Sequence, residues 1–171
     1  IAMRALYFIL DTLMTLYTAV LLLRLILQVV RADFRNHIAG AIVQVTNPVV
    51  LPLRRVLPPA GKLDTASLVA VLLASLLKVW ILSLLFSVAP GLVLLVRIAL
   101  SDVLGLVLKT YLFSIVLNAI LSFVAPGNYS PAQSLLSSIC DPVLNPFRRI
   151  IPPIGGLDLS INKAVAYIFL A

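Results

Sequence analysis

Along the chain, long apolar runs alternate with short pieces rich in proline, arginine and small polar residues. Residues 5–30, "ALYFILDTLMTLYTAVLLLRLILQVV", carry only Asp11 and Arg24 as charges. At ~1.5 Å per residue such a run crosses the ~30 Å hydrocarbon layer of a bilayer with length to spare. Asp64 and Thr65 open a second run over 66–89, broken by Pro90-Gly91. A third extends from 92 to about 125, interrupted in character by "RIALSD" at 97–102. Its second part is long enough to span alone, so 92–100 reads as an extension or a shallow preceding turn. A fourth begins after Asp158 and reaches Ala171 with about 13 residues, fewer than the ~20 of a full crossing, so it is expected to continue further. The pattern predicts an all-α integral membrane protein with about four transmembrane helices.

The connecting pieces repeat. "NPVVLPLRRVLPPAGKLD" (47–64) returns as "DPVLNPFRRIIPPIGGLD" (141–158), identical at 10 of 18 positions without a gap. The same 94-residue offset pairs Ile26, Leu27 and Val30 with Ile120, Leu121 and Val124, and sets Arg24 and Gln28 opposite Asn118 and Ser122. A helix and the segment after it are therefore built twice. This predicts two parallel membrane hairpins, 1–90 and 91–171, the second with an incomplete last helix. Before each motif lies an amphipathic stretch expected at the membrane interface. In the first, Phe34, Ile38, Ala41, Ile42 and Val45 oppose Arg35, Asn36, His37 and Gln44; in the second, Ala132, Leu135, Leu136 and Ile139 oppose Gln133, Ser134, Ser137 and Ser138.

Composition agrees. Of the 171 residues 62% are apolar, against ~45–50% in ordinary soluble domains, and 11% are charged, with no glutamate. A soluble chain of this size has too little interior for that much apolar surface. The net charge of +7 comes from separated basic residues without a stripe or stacking platform, so no nucleic-acid partner is expected. Basic residues set topology instead. Arg31, Arg35, Arg54, Arg55, Lys62, Arg148 and Arg149 cluster around the motifs, whereas the loop near 90 offers only Arg97. Both Arg-Arg loops are therefore expected on the cytoplasmic face of the membrane, with the termini outside. The lone Cys140 reads as apolar filler and the lone His37 as a solvated polar residue; no metal site or cofactor is expected. The first residue is not methionine, so a few residues are expected to precede it, and no signal-peptide cleavage pattern follows the first run.

Backbone chemistry accounts for most of the motif. Asn47-Pro48 and Asp141-Pro142 resemble cap-plus-proline helix starts, as does Ser130-Pro131 for the preceding stretch. Pro52 and Pro146 are expected to kink or break the short helix that follows, because each removes a hydrogen bond and clashes with the previous turn. Pro58-Pro59 and Pro152-Pro153 stop it, Gly61 and Gly155 allow a tight return, and Asp64 and Asp158 cap the next span. No turn requires Arg54-Arg55 or Arg148-Arg149. Guanidinium groups suit phosphate and carboxylate, so these four are the candidate contacts to anionic phospholipid, another membrane protein or a second copy of the chain. No carboxylate cluster or activated nucleophile accompanies them, which argues against an enzyme. Within or near the spans, Asp11, Arg24, Lys78, Asp102, Lys109 and Asn118 form a candidate polar site, since charge at mid-membrane is costly. Arg24 is near enough to an end to snorkel. Lys109 and Asp102, seven apart, share a helical face and suggest a polar seam.

The doubled P-x-x-x-P-x-R-R-x-x-P-P-x-G-x-x-D string resembles that of the YggT family of small bacterial membrane proteins, related to plastid and cyanobacterial proteins. It is carried here by Pro48, Pro52, Arg54, Arg55, Pro58, Gly61 and Asp64, and by Pro142, Pro146, Arg148, Arg149, Pro152, Gly155 and Asp158. The resemblance implies a multi-pass membrane protein without an established enzymatic activity. It also implies links to osmotic tolerance or potassium uptake in some bacteria, and to division, nucleoid distribution or cytochrome-complex assembly elsewhere. The function expected is a non-enzymatic membrane scaffold or assembly factor; the alternative is a component of ion (potassium) transport or osmotic homeostasis.

Overall fold

The computed structural model describes residues 2–32, 36–57, 64–86, 90–124 and 131–150, with backbone only for 122–124 and 146–150. These residues form five helices and no strand: α1 (Ala2–Val29), α2 (His37–Val56), α3 (Thr65–Leu85), α4 (Leu92–Val124) and α5 (Pro131–Ile150). Pro58, Pro59, Gly61, Pro152, Pro153, Gly155, Asp158, Phe34, Arg35, Lys62, Ser130 and the fourth apolar run lie outside the described residues.

Among the described residues two helices, α1 and α3, are long and apolar enough to cross a membrane. Their surfaces are arranged for lipid. On α3 the buried residues are mostly small or polar (Ala66, Ser67, Ala70, Ser75, Lys78), while Leu73, Leu77, Trp80 and Leu84 point outward at helical spacing. On α1, Leu6, Ile9, Leu13 and Leu16 are exposed while Thr18 and Arg24 are buried. Among the described residues thirty large apolar side chains are exposed, against eighteen buried apolar ones. That inversion suits a hydrocarbon solvent, where small residues bring helices close and large apolar ones face lipid.

Local chemistry sets the ends. Arg31 takes a left-handed conformation (φ 54°), with Ala32 N–H donating to Leu27 O (2.9 Å) and Arg31 N–H to Gln28 O (3.2 Å). This is the paired-bond C-terminal stop usually built on glycine. Asn36 starts α2, its Oδ1 accepting from the Ile38 amide (3.0 Å). The run from 92 onward is one helix, so the segment before residue 103 is an extension and not a separate turn.

Two expectations for the motif are corrected. The amphipathic stretch and the motif do not form two helices: α2 passes through Pro48 and Pro52 without interruption, and α5 through Pro142 and Pro146. Asn47 and Asp141 are consequently interior residues and not caps. Pro48 and Pro52 are four apart, both on the exposed side of α2, so the Gln44 and Pro48 carbonyls they leave without intrahelical donors lie toward the outer face. The packed face of α2 is distinct from the apolar stripe expected at the interface, most of which points outward. Ala39, Thr46 and Val50 are fully buried, whereas Ile38, Ala41 and Val45 are exposed. On α5 the expected side is the packed one, with Leu135, Ile139, Cys140 and Leu144 buried.

The chain forms two compact units, each containing separate stretches of sequence. The first joins Ile1–Leu25 with Ile42–Val107, and the second Ile26–Ala41 with Leu108–Ala171. Within the second, the Asn36 side-chain amide donates to Pro131 O (2.6 Å), tying the start of α2 to the start of α5.

Candidate functional site

The first unit holds two polar centres, each built around a buried charged side chain. One lies deep along the helices. Lys78 on α3, 5% exposed, places its ammonium 2.8 Å from Asp102 Oδ2 on α4 and 3.4 Å from Asp11 Oδ1 on α1. It also donates to Thr15 Oγ1 (3.0 Å), and Ser75 Oγ donates to Ala99 O (3.1 Å) and Asp102 Oδ2 (3.2 Å). Asp11 and Thr15 are one turn apart on α1, as are Ser75 and Lys78 on α3, so each helix contributes one polar face. The centre carries two carboxylates and one ammonium. Chemically it is a clamp that fixes the rotation of three helices.

The other centre lies at the elbow. Arg24, 3% exposed, donates from Nη1 to Thr46 Oγ1 (2.7 Å), Asn47 Oδ1 (3.0 Å) and Val43 O (3.4 Å). It reaches α2 and does not snorkel outward, because Thr46 and Asn47 are its polar partners at close range. Arg54 grips Asp64 through Nε (3.1 Å) and Nη2 (2.5 Å), and Ser67 Oγ donates to the same carboxylate oxygen (2.7 Å). Asp64 occupies the N-cap position of α3 but makes no side-chain capping bond, being committed to Arg54 and Ser67. Burial pushes its carboxyl upward; hydrogen bonds from Arg54 and Ser67, the Arg54 charge and the nearby Ser67 amide outweigh it and hold the group below the usual carboxylate range. The Arg24 charge feels Arg54 as a repulsion and Asp64 as an attraction.

Other expected site residues are placed differently. Arg55 is exposed at the last turn of α2. Arg148 and Arg149 fall in the last turn of α5, described by backbone alone. Asn118 is buried on α4. Lys109 is exposed, so Asp102 and Lys109 do not share a polar seam: Asp102 turns to Lys78 and Ser75. His37 is exposed and Cys140 buried.

The doubled motif and the helices carrying it match known proteins. The family model described as CCB3/YggT matches residues 3–85 and 97–171. The chain belongs to the CCB3/YggT family. An uncharacterized protein of Pseudomonas aeruginosa is 45% identical over 155 residues, 90% of this chain and 79% of its own. The uncharacterized protein YggT of Escherichia coli K12 is 37% identical over 158 residues, 92% of this chain and 82% of its own. A short stretch of 25 residues, 15% of this chain and 10% of the relative, is 72% identical to the chloroplastic YlmG homolog protein 2 of Arabidopsis thaliana. No solved structure matches.

In this CCB3/YggT chain, Thr15, Ser75, Thr46 and Asn47 escaped the sequence reading of the site. Their signal was present as helical spacing: Thr15 follows Asp11 by four, and Ser75 precedes Lys78 by three. Thr46 and Asn47 gave no comparable sign, since their partner Arg24 is more than twenty residues away on another helix.

Proposed function

We propose that this CCB3/YggT protein is a non-enzymatic membrane scaffold that presents rigid, arginine-bearing elbow helices to anionic lipid or to a protein partner. The observation that carries this reading is the fixing of α2. Arg24 holds its middle from α1, and the Arg54–Asp64 pair ties its last turn to the start of α3. With α2 held in this way, Ile38, Ala41, Val45 and Arg55 remain exposed. An apolar stripe beside a guanidinium suits the headgroup boundary of a membrane. The repeat extends the reading to a second elbow on α5. Thr46 and Cys140, Val50 and Leu144, Leu21 and Ile115, and Arg24 and Asn118 stand 94 residues apart, and every one of these eight is buried. In this reading α4 and the run after Asp158 complete four spans, and both elbows sit at the cytoplasmic face.

Ion transport is the second reading, and the Asp11–Lys78–Asp102 centre is the feature that favours it. There, however, the ammonium already occupies the place between two carboxylates that a passing cation would take. Photo-crosslinking from the exposed position 51, one turn before Arg55, in native membranes, combined with binding to phosphatidylglycerol vesicles, tests the scaffold reading. Arg55→Gln with Arg149→Gln is expected to abolish capture and reduce vesicle binding while leaving liposome ion permeability unchanged. Potassium flux through purified protein that disappears with Asp102→Asn would establish the second reading instead.

A further inference from the structure

An apolar cleft of about 360 Å³ runs between α1 and α3 in the first unit, lined on α1 by Leu13, Met14, Tyr17, Thr18 and Leu21. Leu73, Ala74 and Leu77 form much of its α3 wall, with Ala70 and Val49 toward α2. Thr18, the most polar lining residue, turns its hydroxyl to Met14 O of its own helix (2.8 Å), so the walls are apolar in effect. The cleft belongs to the two helices suited to cross a bilayer, where the surrounding solvent is acyl chain.

On each of three helices the lining of the cleft ends one turn short of the elbow centre. Leu21 is one turn from Arg24, Val49 one turn from Thr46, and Ala70 one turn from Ser67. That centre carries net positive charge: Arg24 and Arg54 give two positive charges, and Asp64 one negative. Arg24 makes no ion pair with any described carboxylate, and all its hydrogen bonds to described residues leave from Nη1. No fully enclosed side-chain nitrogen or oxygen among the described residues lacks a hydrogen-bond partner. Nε and Nη2 of Arg24 therefore keep a small accessible face although the residue as a whole is 3% exposed. A buried guanidinium with no carboxylate in direct contact is costly, since the nearby Asp64 is taken by Arg54, and a phosphate oxygen supplies both a contacting charge and further acceptors.

We propose that the first unit binds a single anionic phospholipid, its phosphate at Arg24 and Arg54 and one acyl chain in the cleft. This rests on the reading of the elbow as a meeting place for anionic lipid, and adds a defined site beneath its surface. The test is native mass spectrometry of the full chain from detergent, titrated with palmitoyl-oleoyl phosphatidylglycerol, with the matching phosphatidylcholine, and with inorganic phosphate. One retained phosphatidylglycerol is expected, bound about tenfold more tightly than phosphatidylcholine and not displaced by millimolar phosphate. Arg24→Gln is expected to remove that preference. Ala74→Phe, which fills the cleft and leaves every charge in place, is expected to lower retention of both lipids about tenfold, and serves if Arg24→Gln fails to fold. Arg55→Gln is expected to leave the retained lipid unchanged, which separates this site from vesicle binding at the elbow surface. Equal retention of the two lipids, indifference to Ala74→Phe, or displacement by phosphate alone would each overturn the proposal.

Discussion

Asp64 shows how one carboxylate holds the elbow together. Its side chain is 2% exposed and takes Arg54 twice and Ser67 once, so the ionised form is favoured over the protonated one. A depressed carboxyl contributes stability above its unfolded value of about 3.9, and that contribution is lost as pH falls through the lower folded value. Asp64→Asn is expected to cost about 1.5–3 kcal/mol near pH 7. The gap between variant and parent should close as pH drops below about 4, read by thermal unfolding in detergent at several pH values. Lys78 poses the opposite case. Replacing it with Met strands Asp11 and Asp102 and is expected to destabilise by about 1–3 kcal/mol, less than in a fully buried pair because both carboxylates are about a third exposed. Replacing all three by Leu, Met and Leu should be neutral or stabilising by about 1–4 kcal/mol, because well-packed apolar groups avoid desolvating charge. Unfolding measurements on both variants decide whether the clamp adds specificity of packing or net stability. Only half of this was legible in sequence. Lys78 and Asp102 stand out as charges in apolar runs, but nothing in one dimension pairs them.

At the scale of the element, α2 departs most from its sequence. Pro48 reads in sequence as a helix start and Pro52 as a kink or a break, yet the helix continues from His37 to Val56 without a break at either. The penalty against Ala, about 3 kcal/mol for an interior proline, is offset by tertiary bonds: Arg24 to Thr46 and Asn47, and Arg54 to Asp64. Pro52→Ala is therefore expected to leave the helix in place and to raise amide hydrogen-exchange protection over residues 52–56. A loss of protection there would show that the proline is needed for the element's path. The stripe of Ile38, Ala41 and Val45 faces outward, as an interfacial stretch requires, while periodicity alone did not show that Ala39, Thr46 and Val50 form the packed face.

At the scale of the whole molecule, burial among the described residues is inverted relative to a soluble domain, and topology is the matter to measure. With Cys140→Ser as background, cysteines at 55 and 149 are expected to react with impermeant maleimide only from the cytoplasmic side, as the excess of arginine around both motifs predicts. Opposite sidedness would refute the parallel repeat. The apolar runs, the duplicated motif and the family were settled by the chain alone, because run length, proline spacing and identity at a fixed offset are properties of order along a line. Continuity of α2 through its prolines, the choice of Ala39, Thr46 and Val50 as its packed face and the pairing of Arg24 with Thr46 and Asn47 were decided only in three dimensions. Each depends on a partner that lies far along the chain, and the energy of such a contact exists only once the helices are packed.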